Sequence, residues 1–133
     1  MEPSETRRRV MRAVKSQDTG PEMFVRRLLH AQGYRYRLHR KNLPGCPDLV
    51  FCGRRKVIFI HGCFWHGHNC ARGKRVPVNN REYWVNKIER NRGRDREVAR
   101  RLRELGWGRR VVWECSLKHP DRVWFALDKF LQD

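Results

Sequence analysis

Apolar positions along the chain change their period several times, and each change marks an element. Phe24, Val25, Leu28 and Leu29 recur at helical spacing. Asp18 or Thr19 can cap that helix, Pro21 and Glu22 fall in its first turn, and Gly33 sits just past its end. Residues 34–38 then read Tyr, Arg, Tyr, Arg, Leu, the alternation of a half-buried strand. A turn follows at residues 42–45, and Pro47 excludes a helix there. Leu49, Val50 and Phe51 form one strand and residues 56–60 the next, joined by a turn at Gly53-Arg54-Arg55. The runs DLVF and VIFI are almost continuously apolar, so helices are expected on both faces of this hairpin. A long helix is expected over residues 81–105, capped by Asn80, with Trp84, Ile88, Val98, Leu102 and Leu105 inward and Gly106 as its stop. RVVWE at 110–114 is a further strand that ends at Cys115. Pro120 opens a closing helix with Val123, Trp124, Leu127, Phe130 and Leu131 at helical spacing. This order predicts a three-layer α/β domain, a mixed central sheet flanked by helices, occupying residues 1–133 as one unit.

Length and charge narrow the class. At 133 residues the chain can bury a core without disulfides, and its 39% hydrophobic content argues against disorder. Lys and Arg number 31 against 14 Asp and Glu, a formal charge of +17, which invites a polyanion, nucleic acid above all. Arg7, Arg8, Arg9, Arg12 and Lys15 make residues 1–19 a basic arm expected to order on DNA. The opening residues carry no apolar signal core, and no stretch approaches the ~18 apolar residues of a membrane span.

Five cysteines, clustered with histidines, point to metal binding more than to disulfides. Cys63, His66, His68 and Cys70 share one short window, and Cys115 waits at a strand end. That is five candidates for the four ligands of a structural zinc ion, and spacing leaves the choice open. Cys46 and Cys52 have no assigned task. Asp48 opens a strand that reads as buried, where a charge is expensive unless paired or bound to metal. Phosphodiester hydrolysis calls for a hard cation, and Mg²⁺ accepts one carboxylate plus a backbone carbonyl while keeping its waters. A histidine is the natural group to take a proton from the attacking water.

PGCPDLVF, GCFWHGHNC, MRAVKSQDTGPE, EYWVNKIERNRGRDREVARRLRELGW and VVWEC together resemble the very short patch repair (Vsr) endonucleases over most of the chain, up to about residue 118. The resemblance implies a fold similar to type II restriction enzymes with a structural zinc. It also implies an enzyme that, with Mg²⁺, nicks one DNA strand beside a T:G mismatch left by deamination of 5-methylcytosine. Position by position, it places Asp48 and the Ile60 carbonyl on Mg²⁺ and His66 as the group that activates water. His61, Glu22 and Asp95 would surround them, and Cys63, His68, Cys70 and Cys115 would hold zinc. Phe64, Trp65 and Trp84 would wedge beside the mismatch, with Met11 entering from the opposite groove; a wobble pair is easier to pry open than a matched one. The implied partner is duplex DNA and the implied setting a monomer in the bacterial cytoplasm, at the nucleoid. Two positions depart from the family: Ile60 stands in place of threonine, and Cys46 replaces a different residue between glycine and proline. The acid-x-Lys pair of restriction enzymes is missing, as it is in the family. Two other readings of the residues are a zinc-stabilised nucleic-acid-binding protein without catalysis, in which Asp48 is only a turn residue, and a nuclease of this fold with a different trigger.

Overall fold

A computed structural model describes residues 18–133. Most of the basic arm, Met11 included, lies outside the described residues. Three helices and four strands follow in order: α1 (Gly20–Ala31), β1 (Arg37–Leu38), β2 (Leu49–Phe51), β3 (Lys56–His61), α2 (Arg81–Glu104), β4 (Gly108–Trp113) and α3 (Pro120–Gln132). A short 3₁₀ turn, Glu114–Lys118, links the last strand to the last helix. The sheet order is β1-β2-β3-β4. β1, β2 and β3 pair antiparallel, β2 and β3 through a short turn, whereas β3 and β4 run parallel with α2 as the crossover between them. The sheet is therefore mixed and flanked by helices, as its apolar runs predict.

The pleat sorts the hairpin residues onto two faces. Leu49, Phe51 and Ile58 meet Val25 and Leu29 of α1 and Val123, Leu127 and Leu131 of α3. Val50, Val57 and Phe59 point the other way, under Leu102, with Val98, Trp107 and Val111 at the margin. All three β2 residues are buried. A strand covered on both sides has no polar face, which is why DLVF reads as a continuous apolar run.

Several expected details change. Thr19 rather than Asp18 caps α1, its Oγ1 accepting the Glu22 N–H at 3.3 Å. Asn80 precedes α2 in a left-handed backbone and makes no side-chain cap; asparagine tolerates that conformation, so it serves the turn instead. β1 is only two residues long, Arg37 opposite Val50 and Leu38 opposite Leu49. Tyr34 and Tyr36 leave the ladder and send their hydroxyls to Asp128 at 2.7 Å and to the Arg26 carbonyl at 3.0 Å. β4 begins at Gly108, opposite Lys56, and ends at Trp113, which leaves Glu114 and Cys115 in the 3₁₀ turn. Leu105 is 51% exposed, because the last turn of α2 overshoots the sheet; Gly106, at φ +81°, stops the helix there.

The parallel pair puts Ile60 beside Val112 and His61 beside Trp113 at the carboxyl ends of two neighbouring strands. In open α/β sheets that edge is where ligands bind.

Candidate active site and metal centre

Asp48 reaches this edge through a sharp turn. Gly45 (φ +77°) and Cys46 (φ +47°) are consecutive left-handed residues, and a Cβ on Gly45 would lie 2.7 Å from Val98 and 3.1 Å from Phe59. Glycine thus lets the turn pass close under α2 and Phe59. Pro47 then feeds Asp48 into β2. Its Oδ2 accepts the Ile60 N–H at 2.7 Å, and Oδ1 lies 4.0 Å from His39 Nε2. Burial pushes the carboxyl up to about 7; the Ile60 N–H pulls it back, and the neighbouring Glu22 carboxylate raises it further. His39 offsets this only weakly, so the Asp48 anion is under-compensated.

Glu22, on the first turn of α1, is buried and comes to the same side. It pairs with Arg26 one turn on and lies 3.0 Å from His39 Nε2. Arg26 in turn contacts Asp18 at 2.7 Å. Sequence reasoning missed His39. The signal was present in the strand pairing: Leu38 faces Leu49, so one step further sets His39 opposite Asp48.

His61 and His66 form the second half of the site. Their rings stack flat, 3.7 Å apart and 3° from parallel. His61 also packs edge-on against Phe59 and Trp113. Burial drives its pKa down to about 4, aided by the neighbouring His66. Its Nδ1 has no hydrogen-bond partner among the described residues. His66 Nδ1 lies 2.6 Å from Asp95 Oδ2, a contact made across to α2. A carboxylate can only accept, so Nδ1 carries a proton, and in the neutral ring the lone pair is then on Nε2. Asp48, Ile60, His61, His66 and Asp95 line one cleft of about 340 Å³, joined by Arg94 and Arg109. The arrangement suits proton removal by His66 within reach of a carboxylate suited to a hard cation.

The donor atoms of Cys63, His68, Cys70 and Cys115 all lie within 4.8 Å of one another, and His66 stands outside the group. A tetrahedral ion with bonds of about 2.3 Å needs donors about 3.8 Å apart, so two thiols brought by one loop, a histidine and a thiol from the 3₁₀ turn fit zinc. Burial pushes the Cys63 thiol up to about 12, and a thiolate there needs a cation. The Gly73 N–H, 3.4 Å from Cys70 Sγ, helps draw that thiol down to about 6. The His68 ring lies flat on Trp113 at 4.2 Å, which fixes the loop to β4.

Phe64, Trp65 and Trp84 meet edge to face at 5.2–6.0 Å between centroids. Phe64 and Trp65 are half-buried. Trp84 is buried behind them at 3% exposure and forms their backing.

The sequence that builds this site has counterparts in known proteins. The family model for DNA mismatch endonuclease Vsr matches residues 2–72. The DNA mismatch endonuclease Vsr of Escherichia coli (strain K12) is 45% identical over 118 residues, 89% of this chain and 75% of that protein. The chain belongs to the Vsr family. Also similar are the type II nicking enzyme V.XorIIP of Xanthomonas oryzae pv. oryzae (54% identical over 113 residues, 85% of this chain and 82% of the relative) and V.NmeAIP of Neisseria meningitidis (44% over 110 residues, 83% and 78%). No helix among the described residues is long and apolar enough to cross a membrane.

Proposed function

We propose that this DNA endonuclease of the Vsr family nicks one strand beside a T:G mismatch created by deamination of 5-methylcytosine, in a reaction that depends on Mg²⁺. Asp48 Oδ1 and the Ile60 carbonyl would hold the ion, which when bound polarises the phosphoryl oxygen and steadies the leaving oxygen. His66 Nε2 takes a proton from the attacking water, and Asp95 holds the Nδ1–H so that the lone pair keeps facing the cleft. His61, stacked on His66 and unprotonated at neutral pH, adds no second positive charge beside that ring. Glu22 acts from α1 beside Asp48. A structural zinc held by Cys63, His68, Cys70 and Cys115 pins the loop that carries His66. Phe64 and Trp65, backed by Trp84, wedge beside the mismatch, and Met11 comes from the arm on the far side.

In this reading residues 1–133 act as one domain and a monomer, with a restriction-endonuclease-like sheet and the arm 1–19 ordering on DNA. The setting is the cytoplasm of a bacterium, at the nucleoid. The observation that carries the proposal is the shared cleft: Asp48 and the His66–Asp95 pair come from three separate elements and line one cavity. The experiment is cleavage of a duplex bearing one T:G pair beside a matched T:A control. With Mg²⁺ the protein should nick the first and leave the second intact. Asp48→Ala should abolish cutting, and His66→Ala should slow it by about 10²–10⁴-fold, while DNA binding persists in both. Normal cutting by both variants would sink the mechanism, and equal cutting of the two duplexes would sink the mismatch assignment.

A further inference from the structure

His39 is a side chain at the site that this mechanism leaves idle. It follows β1 in a left-handed backbone, φ +46°, a conformation that a residue with a Cβ keeps only when its surroundings hold it. Two contacts do so. Its N–H donates to the Asp48 carbonyl at 3.3 Å, and its Nε2 lies 3.0 Å from Glu22 Oε2. The same nitrogen stands 4.0 Å from Asp48 Oδ1. Asp18, Glu22 and His39 could hold a metal by donor type. Arg26 argues against that: its guanidinium pairs with both acids and comes within 3.4 Å of His39 Nε2, so a resident cation already fills the space. What His39 supplies is position. Asp48 Oδ2 is taken by Ile60, leaving Oδ1 for a hard cation, and His39 borders that oxygen while tethering the Asp48 backbone and the Glu22 carboxylate.

We propose that His39 is a positioning residue for the divalent-cation site, a splint that holds Glu22 and Asp48 in register so that Asp48 Oδ1 stays aimed into the cleft. The inference rests on the reading of Asp48 as the cation ligand. Ligand-orienting partners of this kind set metal affinity more than they set the chemical step.

Mn²⁺ alone is the probe, titrated into the full-length, DNA-free protein and followed by electron paramagnetic resonance of the free ion. His39→Ala should weaken Mn²⁺ binding about tenfold or more, and raise the Mg²⁺ concentration for half-maximal nicking by a similar factor, with the rate at saturating Mg²⁺ falling less than about threefold. His39→Gln, whose amide can still donate to Glu22, should bind Mn²⁺ within about threefold of the parent protein. A His39→Ala protein with parental Mn²⁺ affinity overturns the inference, whether or not it melts lower, because a merely structural residue would lower the melting temperature alone. Asp48→Asn separates the two failures. If it loses Mn²⁺ while His39→Ala does not, only the splint is wrong; if it too keeps Mn²⁺, the ion binds elsewhere and the parent reading falls with it.

Discussion

Replacing Asp48 with asparagine should stabilise the ion-free protein while removing its activity. The Asp48 carboxyl, 18% exposed, has its pKa moved from 3.8 to about 7, first by burial and then by the Glu22 carboxylate. Each unit corresponds to about 1.4 kcal/mol, so the folded state carries an ionisation penalty of at most roughly 4 kcal/mol when Asp48 is charged. The direction follows from proton linkage. Below pH 3.8 the group is protonated folded and unfolded, and there is no penalty. Between pH 4 and 7 the unfolded chain gives up its proton while the folded one retains it, so wild-type stability falls as pH rises. Above pH 7 the penalty is complete. An amide has the same shape, cannot ionise and still offers an oxygen to the Ile60 N–H. Asp48→Asn should therefore be more stable than wild type, by roughly 2–3 kcal/mol more at pH 8 than at pH 5. For a chain of this size that is a melting-temperature gap wider by about 5–10 °C at the higher pH. The Cys/His cluster titrates alike in both proteins, so the gap isolates Asp48. Differential scanning calorimetry without added divalent cation reads it, and added Mg²⁺ should narrow it by raising wild type only. A variant that melts below wild type by the same margin at both pH values would refute the reasoning.

Two further outcomes follow from the geometry. A Cβ on Gly73 would lie 1.9 Å from the His68 carbonyl oxygen, a backbone atom that cannot yield, so Gly73→Ala should lose most of its zinc by elemental analysis and much of its soluble yield. Gly53→Ala, with nothing within 4 Å, is the control; parental zinc content in both would detach the loop from the metal. Arg109 is exposed in the cleft with no carboxylate within ion-pair distance among the described residues. Arg109→Ala should lower the slope of log K against log salt for duplex binding by about 1, with the melting temperature unchanged. An unchanged slope would take Arg109 out of the DNA interface.

The helices and the central hairpin could be read from the chain because local chemistry specifies them. Thr19 and Pro21 start α1, Gly106 ends α2, and the apolar runs of β2 and β3 need two covered faces wherever the rest of the chain goes. Positions decided by distant partners could not be read. Leu105 keeps the helical period of Leu102 yet overshoots the sheet, and its exposure depends on where β4 begins. Trp84 carries the same apolar signal whether it stands at a surface or behind Phe64 and Trp65. Spacing marks Cys115 as a fifth candidate ligand and the family resemblance chooses it, but only the parallel pairing of β3 and β4 shows how it reaches a loop more than forty residues away. His39 was hidden for the same reason, since its meaning comes from standing opposite Asp48 across a two-residue strand.

The end of β3 explains why these groups belong together. Within four positions the chain presents the Ile60 N–H to Asp48, lays His61 on His66 and sends Cys63 into the thiol cluster. A shift of the loop at Cys63 must therefore move both His61 and the amide that holds Asp48, because a strand paired on both sides transmits displacement along its length. On that logic a structural ion in the loop serves catalysis indirectly, by fixing the strand end from which the carboxylate and the imidazole take their places. The charges at that end are poorly compensated: Asp48 has only His39 Nε2, 4.0 Å from its Oδ1, and Arg109 has no carboxylate within ion-pair distance among the described residues. A divalent ion and a backbone phosphate would satisfy both at once, so binding of the ion and binding of DNA should each strengthen the other.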